Sequence, residues 1–304
     1  MRVVLLSGGG GGARFARGLQ SVLAPGELTV IGNVGDDLEF LGLHVSPDLD
    51  SLLYTLAGLI DVERGWGRAD ETWNVLESAA AWGGPDWFRL GDRDIGLHLV
   101  RTEALRDGAP LSEVTAQLAR HVDLATSLVP ATDDRVRTHV VTPAGTFPFQ
   151  EWFVGRHHED DVDGVEYRGA ENARAASGAL AAIASAEAIV FAPSNPYLSI
   201  GPIVALADIR AAIRARSVRC VAVSPLIGGD AVTGPLGRML TRMSGGATPG
   251  HVARCHHGLI DALVIDEADA PADAVVELVV ARTLMTDPES ERSLAEAVLV
   301  AACA

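Results

Sequence analysis

Residues 3–20 read VVLLSGGGGGARFARGLQ: an aliphatic run, five consecutive glycines from Gly8 to Gly12, and a segment with helix-forming character. Glycine loses more backbone freedom on folding than any other residue. A run of five therefore persists where the chain turns with positive φ, where something must come close to the backbone, or where it is only a tether. A strand before the glycines and a helix after them favour the close approach. Gly8, Gly10 and Ala13 fit GxGxxA, and a helix N-terminus behind such a loop attracts phosphate through its unpaired N–H groups and its dipole. The motif alone is weak, since many spacings match within a glycine run. The ribose-binding acid expected about 20 residues on in a dinucleotide fold is also not cleanly placed, the nearest being Glu27, then Asp36 and Asp37.

Outward from this unit, short aliphatic runs at 28–31, 188–192, 218–223 and 263–265 read as buried parallel strands. Helix-like stretches at 14–23, 173–186, 200–215 and 248–257 lie between them. This alternation predicts an α/β, Rossmann-like, doubly wound and mostly parallel sheet, within one domain over 1–304. Two stretches interrupt it. Residues 48–121 form a helical insertion with amphipathic segments at 49–59, 71–81, 95–106 and 111–120. Residues 135–168 form a β-insertion, with VRTHVVT, PAG and TFPFQEWFV as a hairpin and a further strand at 165–167.

The formal charge of −16 argues against nucleic acid, whose affinity comes from clustered basic side chains. All 24 basic residues are arginine. Codon bias accounts for the count, yet it removes a Walker lysine, a Schiff-base lysine and a lysine base together. Any phosphate bound must meet arginine, backbone N–H groups or a metal. The three cysteines, without CxxC spacing, suggest neither a disulfide framework nor a zinc site. No apolar stretch approaches the roughly 20 residues of a membrane span, and the first apolar run is too short for a signal peptide. A cytoplasmic protein is expected.

The acids are concentrated. In NVGDDLEFLGLHVSPDLDSLLYTL (33–56), Asp36 and Asp37 follow the second strand at its ligand-binding edge. Adjacent carboxylates there suit a magnesium ion, with a turn as the alternative. Asp48 and Asp50 begin a helix, where capping suffices to explain Asp48. PDWFRLGDRDIGLHLVRTE (85–103) groups Arg89, Asp92, Arg93 and Asp94, with Asp92 as a cap and His98 as a packed histidine. LVPATDDRVRT (128–138) adds Asp133, Asp134 and Arg135. Cys255, His256 and His257 are adjacent, a spacing from which one helix cannot aim all three at a metal. APSNPYLSIGP (192–202) puts Ser194 and Asn195 in another loop on the ligand edge, with a plain turn as the alternative.

LSGGGGGARFARGL, NVGDDLEFLGLHVSPDLDSLLYTLAGL, RGWGRADETW, FRLGDRDIGLHLVRTE, PATDDRVRT, FQEWFV, APSNPYLSIGPI and VSPLIGG, in this order, resemble the 2-phospho-L-lactate and phosphoenolpyruvate transferases of coenzyme F420 biosynthesis. The resemblance implies transfer of a phosphorylated three-carbon acid, activated as its guanosine diphosphate conjugate, to the ribityl hydroxyl of the deazaflavin Fo, with release of GMP. It implies Mg2+ at Asp36 and Asp37, which also serve as the catalytic acids. Asp50 and Arg89, with Arg93 and Asp134, fall on the deazaflavin side, Asp50 being free to hydrogen-bond the ligand. Gly8, Gly9, Gly10, Gly11 and Gly12 fall on the nucleotide side with Ser194 and Asn195. At Gly10 relatives often carry Thr or Val, so a side-chain contribution is missing there. A homodimer is expected on the same ground. RGWGRADETW and FQEWFV look closest to the phosphoenolpyruvate-type members. A non-catalytic nucleotide-sugar-binding regulator on the same fold and a nicotinamide oxidoreductase are the competing readings.

Overall fold

A computed structural model describes residues 1–232 and 234–304. Its centre is a seven-stranded, all-parallel sheet in the order Glu277–Ala281, Ala262–Asp266, Cys220–Val223, Ala188–Phe191, Val3–Ser7 (β1), Leu28–Gly32 (β2) and Ser127–Pro130. Parallel strands covered by helices on both faces read as unbroken aliphatic runs. VVLLS, AIVF, CVAV and ALVID are buried at every position. The expected α/β architecture is present, four of its five strands lie where the runs placed them, and the fifth, 218–223, starts at Cys220. The two edge strands escaped that reading. SLVP alternates buried with more exposed positions and ELVVA has no buried position, because each has only one neighbour, so neither stands out as a buried aliphatic strand.

Two hydrophobic clusters fill the faces of the sheet, one around Phe191, Ile200 and Ile209, the other around Phe15, Leu19 and Leu52. The segment expected as one helix over 200–215 is two, Gly201–Ala205 and Ala207–Arg214, separated by an extended Leu206. Helices at Leu236–Ser244 and Pro288–Cys303 were not anticipated. The helical insertion contains Pro47–Leu56 (α2), Asn74–Ala81 (α3), Asp92–Arg106 (α4) and Leu111–His121 (α5). It is preceded by a short antiparallel hairpin, Leu38–Phe40 with Leu43–Val45. In the β-insertion, Arg137–Thr142 pairs antiparallel with both Gly145–Pro148 and Gly164–Arg168. The hairpin ends sooner than expected: FQEWFV leaves the strand at Pro148, and Glu151–Gly155 is a wide helical turn whose Trp152 is fully buried. Among the described residues no helix is long and apolar enough to cross a membrane.

The first helix, Gly9–Val22 (α1), packs against Pro288–Cys303 at Gly18. A Cβ at Gly18 would collide with the Glu291 carbonyl. Alongside, Arg17 clasps the buried Glu291 carboxylate through Nε at 2.8 Å and Nη2 at 2.7 Å. Gly18→Ala is expected to force these helices apart and cost about 1–3 kcal/mol, read as a lower midpoint in urea denaturation. An unchanged midpoint would mean the crossing is loose.

Candidate active site

The strand order reverses between β1 and Ala188–Phe191, and the loops leaving these strands at their carboxyl ends form the crevice where open α/β sheets take ligands. A cavity of about 470 Å3 lies there. It reaches from Gly8–Gly11 past Asp36, Asp48 and Asp50 to Trp66, Phe88 and Arg89, with Phe149 and Phe153 of the β-insertion on another wall.

The glycines are not a loop ahead of a helix at Arg14. Gly9 to Gly12 are the first turn of α1 itself, and Gly8 is the residue just before it. Their reasons differ. Gly9 has φ +71°, which disfavours a side chain. A Cβ at Gly12 would press on Ser7 Oγ and lie 2.7 Å from Ser194 Oγ, and one at Gly8 would strike the Asp48 carboxylate. Gly10 faces open space, its nearest neighbour being the Gly65 carbonyl at 4.0 Å. The first N–H groups of a helix have no intrahelical acceptor. That of Gly9 is taken by Asp48 Oδ1 at 2.7 Å. Those of Gly10 and Gly11 belong to residues lining the cavity, with no acid in the first turn of α1 to neutralise the dipole.

Asn33, fully buried at the end of β2, organises the acids. Its Nδ2 donates to Asp36 Oδ1 and to Asp48 Oδ2, each at 2.9 Å. Asp48 is therefore no cap: Ser46 occupies that position, and Asp48 ties the glycine turn to the acidic strand end. Burial pushes the Asp36 carboxyl well above the usual range, and the charge of Asp48 adds to it. Burial likewise lifts Asp48 to about 6. Asp37 departs from the expected pair. Its Oδ2 turns toward the hairpin, 3.0 Å from His44 Nε2 and 3.1 Å from Ser46 Oγ, and it does not line the cavity. Among the described residues no three His, Cys, Asp or Glu side chains converge as a ready-made metal site. The Asp36–Asp48 pair is what faces the cavity.

Asp50 lines the cavity but is not free. The buried Arg101 of α4 grips both of its oxygens, Nη1 donating to Oδ2 at 3.0 Å and Nη2 to Oδ1. Burial opposes the Asp50 charge, and the guanidinium outweighs it, so the carboxyl sits below its usual range. His98 is buried beside them, Nδ1 3.3 Å from Arg101 Nη1, and burial takes it down to about 4. Packed as expected, it also forms part of the cavity wall.

Arg89 stacks on Trp73 at 4.5 Å, and Arg64 lies 5.5 Å from Trp66 and 5.4 Å from Trp73. Of these four residues, Arg89 and Trp66 line the cavity. Ser194 Oγ donates to the Gly8 carbonyl at 2.7 Å. Asn195 Oδ1 accepts from the N–H groups of Tyr197 at 2.9 Å and Leu198 at 3.1 Å. The turn role and the cavity position hold for both together. Arg93 and Asp134 lie elsewhere: Arg93 borders a separate apolar cleft between α2, α4 and α5, and Asp134 accepts from Arg174 N at 2.7 Å. Asp92 does not cap its own helix; it accepts from Val75 N at the start of α3 at 3.0 Å. Sequence reasoning missed Asn33, Tyr54 and Arg101, and read Asp94 only as one member of a charged cluster. A buried arginine between two hydrophobic turns, RTEALR after GLHLV, was the signal available for Arg101.

Three comparisons complete the picture. The model of the family described as 2-phospho-L-lactate transferase CofD matches residues 3–299. A phosphoenolpyruvate transferase of Streptomyces griseus is 44% identical, with 98% of each chain covered, and one of Kitasatospora aureofaciens is 45% identical, with 99% and 98% covered. A crystal structure of protein BH3568 from Bacillus halodurans superposes with a TM-score of 0.65 over 98% of this chain and 99% of its own, at 16% identity, a likeness of fold. On the family match and the relatives together, the chain belongs to the 2-phospho-L-lactate transferase CofD family.

Proposed function

We propose that the protein is a transferase of coenzyme F420 biosynthesis that joins a phosphorylated three-carbon acid, activated as its guanosine diphosphate conjugate, to the ribityl hydroxyl of Fo, with phosphoenolpyruvate as the acid. The observation that carries this is the sharing of one cavity by the first turn of the glycine helix, with Gly10 and Gly11 at its edge, a buried acidic pair, and Trp66 with Arg89. The first suits a diphosphate and the last a planar aromatic ring. The names of the relatives favour phosphoenolpyruvate.

Transfer of this kind needs positioning and charge neutralisation more than covalent catalysis, so the absence of lysine is no obstacle. The acceptor's hydroxyl oxygen forms a bond to the phosphorus next to the acid as the bond from that phosphorus to the bridging oxygen breaks. GMP leaves with the bridging oxygen. The hydroxyl proton passes to Asp36 Oδ2, the oxygen of that carboxyl not held by Asn33. Gly10 and Gly11 N–H hold the nucleotide's phosphate, and Arg89 with Trp66 holds the acceptor ring. Two buried carboxylates that share one amide and lack a basic partner at hydrogen-bond distance fit a divalent cation that keeps its own waters. Asp36 and Asp48 would hold Mg2+, which supplies charge neutralisation for the diphosphate.

The pair also predicts a pH signature. An acid whose folded-state pKa is raised binds more protons folded than unfolded, so its contribution to stability falls as pH rises, for Asp48 between about 3.8 and about 6. Asp36→Asn removes one charge and is expected to melt higher than wild type at pH 7.5, with the gap narrowing as pH falls. Added Mg2+ should raise the wild-type melting temperature at pH 7.5 and leave the variant unmoved. An equal Mg2+ shift in both proteins would remove Asp36 from the metal site. The reaction itself is tested by mass spectrometry of the product from Fo and each guanylylated acid. No phosphodiester, or GMP release indifferent to Fo, would overturn the transferase reading.

A further inference from the structure

Lysine is absent from this chain, so positive charge at a bound phosphate comes from arginine or a metal. Among the described residues that line the cavity, two are arginines, Arg14 and Arg89. Arg89 is stacked on Trp73 at 4.5 Å, on the side of Trp66 and Phe88. Arg14 stands at the other end, on α1.

Arg14 follows Gly10 by four residues and Gly11 by three, spacings that put all three on one face of the helix. Side chains on a helix lean toward its N-terminus, so the guanidinium is carried back toward the glycine turn. Its end point is fixed by one contact: Nη1 donates to the Met285 carbonyl at 3.2 Å, and Met285 lines the same cavity as Gly10 and Gly11. Arg17, three residues on, is committed to the Glu291 carboxylate at 2.7 Å. Arg14 is exposed and has no carboxylate partner among the described residues. A guanidinium carries five N–H donors, and this one gives a single donor to a neutral carbonyl. Backbone N–H groups orient a phosphate but bring only partial charge, and the acids Asp36 and Asp48 face the cavity near the same turn. An arginine fork pairs two N–H groups with two phosphate oxygens and adds a full charge.

We infer that Arg14 is the residue that reads the diphosphate of the nucleotide, its guanidinium meeting phosphate oxygens beside the N–H groups of Gly10 and Gly11. This rests on the guanosine diphosphate reading above and names the side chain that supplies charge to it. A bridge from α1 to Met285 that serves stability alone is the competing role of the same side chain.

Calorimetric titration with GDP, guanosine and Fo, at low and high salt, tests this on wild type, Arg14→Gln, Arg14→Lys and Arg292→Gln, with a melting curve for each. Arg292 is exposed, lies outside the cavity and pairs with Glu296, so its variant controls for the loss of one charge. Wild type should bind GDP about tenfold or more tightly than guanosine, and salt should weaken GDP. Arg14→Gln should lose about tenfold in GDP affinity and much of its salt dependence, keep guanosine and Fo within twofold, and melt as wild type does. Arg14→Lys should fall between the two, and Arg292→Gln should match wild type throughout. Unchanged GDP affinity in Arg14→Gln would overturn the assignment while leaving the nucleotide site intact. An equal loss of GDP and guanosine, or lower melting with Arg14→Lys no better than Arg14→Gln, would make Arg14 a bridge and overturn it equally. So would a loss in Arg292→Gln as large as that in Arg14→Gln, which would trace the effect to net charge. A wild type that binds no GDP would sink the nucleotide reading, and the part of Arg14 with it.

Discussion

Asp50→Asn is expected to destabilise the protein by about 3–5 kcal/mol, because it leaves the Arg101 guanidinium buried and charged with its bidentate partner gone. The arginine is 2% exposed and the aspartate 5%, so water cannot substitute. Removing both charges should be far milder: Asp50→Asn with Arg101→Met is expected to recover most of the loss, since a buried ion pair replaced by groups of similar volume is often nearly neutral. Chemical denaturation of the two single variants and the double variant reads the coupling directly. Additive losses would show that the pair is not a unit. The pH dependence has the opposite sign to that of Asp36. With its pKa depressed on folding, Asp50 contributes fully above the ordinary carboxylate range, and that contribution is lost as pH falls below it. Asp50 thus ties α2 to α4, and a fall in turnover in its variants must be read beside their stability.

Gly10→Val should abolish most nucleotide binding, weakening GDP by on the order of 2 kcal/mol, roughly 30-fold, while Fo binds nearly as before. The Cβ at Gly10 meets no protein atom closer than 4.0 Å, so the cost falls on whatever approaches the helix end. Gly10→Ala sharpens the test. Alanine in place of a helical glycine gains up to about 1 kcal/mol of helix propensity, so this variant should melt higher than wild type and still bind GDP more weakly. Gly12→Val, by contrast, would drive a side chain into Ser7 and Ser194 and should lose stability before affinity can be compared. Calorimetry with GDP and Fo on the Gly10 variants decides. Unaltered GDP affinity in Gly10→Val would mean that no phosphate comes near this turn.

How much of this was legible beforehand depended on whether a feature is local. Interior strands announced themselves because burial on both faces demands unbroken aliphatic runs, as in Ala188–Phe191. The edge strands at Ser127–Pro130 and Glu277–Ala281 face solvent in part and lack that mark. The glycine run read as a loop because helix propensity penalises it, yet tertiary contacts at Gly8 and Gly12 outweigh propensity and wind Gly9 to Gly12 into α1. Asp36 on the ligand edge followed from strand order. Asp48 looked like a cap because its helical position is a capping one. Only the fold brings Asn33 between it and Asp36, across 15 residues of chain. The Asp50–Arg101 bond spans 51 residues and leaves no local trace.

The clasp between α1 and Pro288–Cys303 bears on how the chain comes into being. Arg17 is made 274 residues before the Glu291 that it clasps. The helix that presents the glycine turn therefore stays unbraced on one side until Pro288–Cys303 has been made. A nascent chain stalled before residue 288 should hold strands and insertion alike and yet fail to retain guanosine nucleotide.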